Sequence, residues 1–309
     1  MSDPVFGLVL SVAALVLWAA GMIIAKYAVD LVDTELGFIV AIITNVVLGA
    51  IFVLFRLFLD ASRVGFDGLS FSAFVMAGVL NSYLGRFLLL NAVAKMGATR
   101  ASAFVSTSPV FAAIFGWIFL DELMGLDRSF AIGMTLIGLV LLNYQRSGTE
   151  QSRNSAAPSV RAMLLLGLAS SAAYGAGTAF RGVGVRLWSE PMIGTLIGAL
   201  VGFFLQALVS ARKRRELLPR LRLADRTGLI LYFCVGITGI TAQALSIVAM
   251  QYIPVAEVAL ITASTPLLVL PASLIFFPKR ETVTWLTAFG LLLALTGVGY
   301  IVGQSIWQL

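Results

Sequence analysis

KMGATRASAFVSTSPVFAAIFGWIFLDE, beginning at Lys95, and YIPVAEVALITASTPLLVLPASLIFFPKRE, beginning at Tyr252, are two versions of one pattern. Placing Pro109 on Pro266 brings Ser108 onto Thr265, Thr107 onto Ser264, Ala92 onto Ala249 and Gly133 onto Gly290. In each, a short loop leads into small and hydroxylated residues, then a proline, then an apolar run with a charged end at Glu122 or Glu281. Proline inside a helix removes a backbone donor and frees a carbonyl one turn back, which Ser and Thr hydroxyls can help to offset. Pro109 and Pro266 are therefore expected to bend their helices. A second match lies upstream: LWAAG, with Trp18 and Gly21, resembles AYGAG, with Tyr174 and Gly177. Self-similarity of this kind marks a duplicated architecture.

Composition says which architecture. Of 309 residues, 60% are hydrophobic and 12% charged, and mean hydropathy is +0.99. About a quarter of a soluble domain is charged, so this is a membrane chain. There is no histidine, and Cys234 is the single cysteine, which excludes an internal disulfide framework and ordinary zinc or haem sites; no cofactor and no metal are expected. The net charge of +6 is read as basic residues along a membrane face, with no nucleic-acid partner. No GxSxG, Walker or HExxH pattern is present, so neither an enzyme nor an ATP-driven pump is expected.

A helix needs about 20 mostly apolar residues to cross a bilayer. Ten segments qualify: Val5–Ala25, Leu36–Phe58, Phe71–Val93, Ala98–Leu120, Ser129–Asn143, Val160–Gly182, Pro191–Ala211, Thr227–Met250, Val255–Phe277 and Val283–Val302. The apolar runs are continuous rather than alternating, which excludes barrel strands. The leader MSDP has no base and the first run is too long for a cleaved signal peptide. Five segments lie in 1–144 and five in 160–309, with a polar linker at 145–159. Five is odd, so the second unit crosses in the opposite sense to the first. The expected fold is all-α: an integral membrane protein of ten transmembrane helices in two inverted five-helix repeats, with binding near the midplane where the halves meet. The basic run ARKRRELLPRLRLADR, Ala211 to Arg226, reads as a solvated loop or as an amphipathic helix on anionic lipid.

These stretches resemble the ten-helix, EamA-type members of the drug/metabolite transporter superfamily. The resemblance is carried by AVAKMGATRASAFVSTSPVFAAIFGWIFLDE and AMQYIPVAEVALITASTPLLVLPASLIFFPKRE, and by the 5+5 split that makes 1–144 and 160–309 EamA-like repeats. It implies a secondary active transporter, in bacteria often an exporter of amino acids or related metabolites, in the cytoplasmic membrane. It also implies a central cavity within helices 1, 3, 4, 6, 8 and 9, with helices 5 and 10 outside. FPKRE departs from the FLDE of the first half, and helix 1 lacks the embedded acid by which the small four-helix multidrug relatives couple to protons. A drug or toxic-compound efflux carrier and a non-transporting scaffold are the alternatives. The resemblance implies cytoplasmic termini, whereas the excess of Lys and Arg in odd-numbered loops, above all Ala211–Arg226, points the other way. Oligomeric state is left open by the residues, and a monomer is compatible with them.

Ionisable groups inside a span are costly and hence candidates for function. Arg86, in NSYLGRFLLLN, is the one base well inside a predicted segment, beside Asn81, Ser82 and Tyr83; it either snorkels or holds a substrate carboxylate or phosphate. Gln243 occupies its place in the second half. Glu257, near the start of helix 9, is either an interfacial acid at a helix N-terminus or the site of proton coupling, and falls opposite Arg100 in the repeat. Ser106 and Thr262 belong to the hydroxyl clusters ahead of Pro109 and Pro266; Trp18, Tyr83 and Tyr174 are aromatics that either pack or stack on a ligand. Gly194, Gly198 and Gly202 form a smooth stripe for close helix approach.

Overall fold

The computed structural model describes residues 4–59, 65–96, 104–122, 125–145, 160–210, 214–276 and 285–307. Among these there is no strand. The helices are α1 (Pro4–Ala28), α2 (Thr34–Leu59), α3 (Gly68–Gly78), α4 (Arg86–Met96), α5 (Ser108–Leu120), α6 (Leu126–Gln145), α7 (Val160–Leu187), α8 (Pro191–Ser210), α9 (Arg214–Leu223), α10 (Arg226–Ala249), α11 (Val255–Ala263), α12 (Pro266–Phe276) and α13 (Trp285–Trp307). A π-helical stretch, Val79–Gly85, joins α3 to α4. Six segments among the described residues are long and apolar enough to cross a bilayer: Pro4–Ala28, Thr34–Leu59, Gly68–Leu89, Pro191–Val209, Arg226–Ala249 and Val255–Ala272. Ser108–Leu120, Ser129–Leu141 and Ala288–Ile301 are shorter apolar helices. Large side chains such as Leu54, Phe58 and Phe204 are exposed on the outside, as lipid requires.

Two aspartates start equivalent helices. Asp67 accepts from the Ser70 amide at 2.6 Å and Asp225 from the Gly228 amide at 2.9 Å. The Ser70 amide holds the Asp67 carboxyl below the usual carboxylate range, so this cap is lost only as pH falls through that lowered value.

Glycines set the helix contacts, and the contacts come in reciprocal pairs. A side chain at Gly78 would meet Val201 at 2.8 Å, and one at Gly236 would meet Thr44 at 2.6 Å. Gly194 accommodates the Phe74 ring and Gly37 the Tyr232 ring. Gly177 lies against Asn81 and Gly21 against Thr238. The equivalent acids Glu190 and Asp33 are both paired, by bases at different repeat positions: Arg56 with Glu190 at 2.9 Å and Arg220 with Asp33 at 2.7 Å. At helix level α1 packs on α10 as α7 packs on α3 and its π-helical continuation; α5 packs on α7 as α11 packs on α1. α6 packs on α13.

The register of these pairs explains the π-helical stretch. Asp67 to Asp225 and Gly78 to Gly236 are separated by one residue more than Ala92 to Ala249 and Pro109 to Pro266. The first half thus carries one extra residue between Gly78 and Ala92, and Val79–Gly85 absorbs it by widening the helix, where α10 stays regular.

Several expectations change in detail. Pro109 and Pro266 do not bend continuous helices: turns at Ser106–Thr107 and Ser264–Thr265 interrupt the chain, and each proline stands in the first turn of a new helix, where its missing N–H costs nothing. The contacts match Ala131, not Gly133, with Gly290, because Gly138 meets Gly290 and Ala294 while Gly297 meets Ala131 and Thr135. Part of the basic run, Arg214–Leu223, is helical. Apart from Gln145, the 145–159 linker lies outside the described residues, as do Arg100 and Glu281.

The α6–α13 contact leaves no room for a larger residue. A Cβ at Gly138 would sit 2.5 Å from the Ala294 amide nitrogen and the Gly290 carbonyl oxygen. Gly138→Val is expected to cost about 1–3 kcal/mol by overpacking, read as a lowered unfolding midpoint in detergent, whereas Gly133→Val, which meets nothing within 4 Å, is expected to be near neutral.

Candidate functional site

Where α7 crosses the π-helical stretch, polar side chains from both halves converge. Tyr174 and Arg181 stand two turns apart on one face of α7. The Tyr174 ring packs on the backbone of Gly85, 3.2 Å from where a Cβ would stand. Asn81, turned outward by the widened helix, lies against Gly177. In the amide orientation that satisfies both its ends, Asn81 donates to the Tyr174 carbonyl at 3.1 Å and accepts from Arg181 Nη2 at 3.2 Å. Arg181 Nη2 also donates to Gln243 Oε1, from α10, at 3.2 Å. The Gln243 amide nitrogen rests on Gly198, so the glycine of α8 makes room for the residue that holds the arginine. Arg181, Asn81, Tyr174 and Gln243 are each half-buried among the helices.

Arg86 follows Gly85, the residue on which the Tyr174 ring packs. Its guanidinium lies over the Phe38 ring, 3.4 Å from the centroid, a cation–π contact that offsets part of the cost of a charge at this depth. It is near enough to Tyr174 for the two to interact electrostatically. The other sequence candidates are dispersed. Trp18 is half-buried against Gly239, with Thr238 beside Gly21 one helix over. Tyr83 is exposed and stacks on the exposed Phe87, so it does not join the cluster. Ser106 is half-buried in the turn before α5, and the Thr262 hydroxyl donates to its own helix at Val258 O, 2.7 Å. Glu257 is buried, 1% exposed, in the first turn of α11.

The sequence reading ended this helix at Gly182, which left Arg181 at its very end rather than inside the span. α7 runs on to Leu187, which carries Arg181 inside the bundle. The signal that could have found it is its spacing from Tyr174, seven residues on and therefore on the same face.

The turns around the cluster are stitched across helices. Thr107 and Ser171 hydroxyls both donate to the Phe104 carbonyl, Thr107 at 2.7 Å. Ser170 donates to the Gly85 carbonyl at 3.1 Å, at the end of the π-helical stretch. At the end of α5, Asp121 takes a left-handed conformation, φ 53°, and turns the chain back so that the Glu122 carboxylate lies under Gly116. Both its oxygens stand 3.0 Å from the Val255 amide at the start of α11, and Arg186 of α7 completes the ion pair. A residue of the first half thus caps a helix of the second.

The profile of the EamA-like transporter family matches residues 5–144 and again 161–303. The chain belongs to the EamA-like transporter family. It is a multi-pass integral membrane protein and a membrane transporter of the drug/metabolite transporter superfamily, which takes a small-molecule substrate and sits in a lipid bilayer. A solved crystal structure is similar over 98% of both chains, with a TM-score of 0.70 at 14% identity, which shows a shared fold. No curated protein matches the chain.

Removing the Glu122 carboxylate leaves the Val255 amide without its protein acceptor. Glu122→Ala is expected to lower local stability at the start of α11 by about 1 kcal/mol, seen as faster amide hydrogen exchange at Val255; unchanged exchange there excludes the cap.

Proposed function

We propose that the protein is a secondary active transporter that exports a small polar metabolite, an amino acid or related compound, across the cytoplasmic membrane by alternating access. The observation that carries this reading is the Arg181–Asn81–Gln243–Tyr174 cluster, built from polar side chains of both halves. The chain crosses ten times, in two inverted five-helix repeats: 1–144 and 160–309, joined by 145–159. Helices α3 and α4 with the π-helical stretch make the third crossing, and α11 with α12 the ninth. The reciprocal contacts of Gly78 with Val201 and Gly236 with Thr44 support the two-fold relation, since each pair is the other with the halves exchanged. Two units that share a central site in this way rock against each other around it.

In this reading Arg86 receives an anionic group of the substrate, Trp18 and Tyr174 bound the cavity, and Ser106 and Thr262 lie beside the helix breaks at Pro109 and Pro266. Tyr83 does not line the site. Glu257, buried in the first turn of α11, takes up and releases the coupling proton.

Purified protein in liposomes is expected to give saturable flux and counterflow of an accepted metabolite, which a channel or scaffold does not. Arg86→Gln is expected to remove that flux while leaving a folded, extractable protein, because Gln243 fills the same place in the other half; Arg86→Lys keeps the charge, loses the fork, and weakens binding. Wild-type rate and affinity in Arg86→Gln exclude a role for Arg86 in binding.

Coupling has a separate test. Glu257→Gln is expected to retain counterflow and lose accumulation driven by a pH gradient. Unchanged gradient-driven accumulation removes Glu257 from the mechanism.

A further inference from the structure

Both arginines of the cluster occupy positions that the two halves do not share. Arg86 falls on Gln243, and Arg181, aligned through Tyr174 on Trp18 and Gly177 on Gly21, falls on Ala25. The same architecture therefore accepts a neutral amide and a methyl group at these places, so neither cation is demanded by the fold. A guanidinium kept at membrane depth without structural need has a function to explain its cost.

Their partners are neutral. Arg181 gives both hydrogens of Nη2 to amide oxygens, those of Gln243 and Asn81, and keeps the hydrogens on Nε and Nη1. Arg86 rests on a ring face. Among the described residues neither has a carboxylate partner. The amides fix the Arg181 guanidinium in place without cancelling its charge. Seven residues of helix put Arg181 about 10 Å along the axis from Tyr174, and the Tyr174 ring packs on Gly85, the residue before Arg86, so two cations without a carboxylate partner among the described residues flank one tyrosine.

We propose that Arg181 is the principal oxyanion-binding residue of the transport site, and that the cargo is a small organic anion, negative overall at neutral pH, whose carboxylate or phosphate passes between Arg181 and Arg86. This deepens the transporter reading and rests on it. Gln243 and Asn81 are positioning residues that aim the guanidinium. Among the described residues no carboxylate stands beside either arginine to meet the ammonium of a zwitterionic amino acid, so the site favours acidic solutes over neutral ones.

The test uses the full chain in proteoliposomes, offered metabolite pools from a cell extract separated by ion exchange into anionic, net-neutral and cationic fractions, with solutes accumulated inside identified by mass spectrometry. Saturable accumulation is expected from the anionic pool alone, and treatment of that pool with phosphatase distinguishes phosphate esters from carboxylates. Arg181→Ala, which installs the residue of the other half, is expected to weaken uptake roughly tenfold or more, the loss of a hydrogen bond to a charged group. Gln243→Glu gives Arg181 an internal carboxylate. It is expected to abolish anion uptake while keeping or raising the unfolding midpoint, which separates charge cancellation from misfolding. Accumulation from the net-neutral or cationic pool, or anion uptake that survives both variants, overturns the assignment while leaving the transporter reading intact. Absence of saturable accumulation from any pool overturns the transporter reading itself.

Discussion

A bilayer core offers the backbone no hydrogen-bond partners, so departures from the α-helix among the described residues must find them within the protein, from another helix or from local hydroxyls. Three departures matter. The π-helical stretch Val79–Gly85 ends at a carbonyl that Ser170 of α7 satisfies. The turn at Ser106–Thr107 exposes the Phe104 carbonyl, which takes hydroxyls from its own segment and from Ser171. The turn at Ser264–Thr265 is closed locally, Ser264 donating to the Leu260 carbonyl at 2.8 Å and Thr265 to that of Thr262 at 2.7 Å. The first two are served by α7, the helix that also carries Tyr174 and Arg181. Irregular backbone and functional side chains thus converge for one reason: only the interior between the halves tolerates either.

Much of this was legible in the sequence. Continuous apolar runs gave the class, Pro109 and Pro266 gave the repeat, and scarcity of charge singled out Arg86. What was not legible depended on tertiary packing. Proline chemistry predicts a disturbed helix but does not choose between a bend and a break; the packed hydroxyls around Phe104 and Leu260 favour the break. The depth of Arg181 depends on how far α7 continues past Gly182, and that is set by Val255 and Leu120 closing over Gly182, contacts distant in sequence. The Glu122 cap joins residues 133 apart and has no local signature at all. Tyr83 looked equivalent to Asn81 in the sequence, and the widened helix turns the two to different surroundings.

Duplication explains the framework, and its violations explain the site. Where the halves agree, as at Gly78 and Gly236 or Gly37 and Gly194, the shared residue serves helix approach. Three of their differences fall on the helices that meet at Tyr174: one inserted residue in Val79–Gly85, Arg86 against Gln243, and Arg181 against Ala25. The insertion has a direct consequence. It shifts the register of the residues after it, including Arg86, relative to those before, while Asp67 and Gly78 keep their symmetric contacts.

A buried cation can be stabilised by an acid, which cancels its charge, or by neutral dipoles and ring faces, which leave the charge in place. The protein uses acids at its edges: Glu122 with Arg186, Glu190 with Arg56, Asp33 with Arg220. At its centre it uses an aromatic ring for Arg86 and two amides for Arg181. The edge pairs fix helices to one another and need no further partner. The central pair is held in position but not neutralised, and water or a passing anion supplies the remaining stabilisation. That stabilisation is greatest where solvent is excluded, so under the proposed transport cycle an anion beside these arginines would be held most strongly with the halves closed and released as they part to admit water.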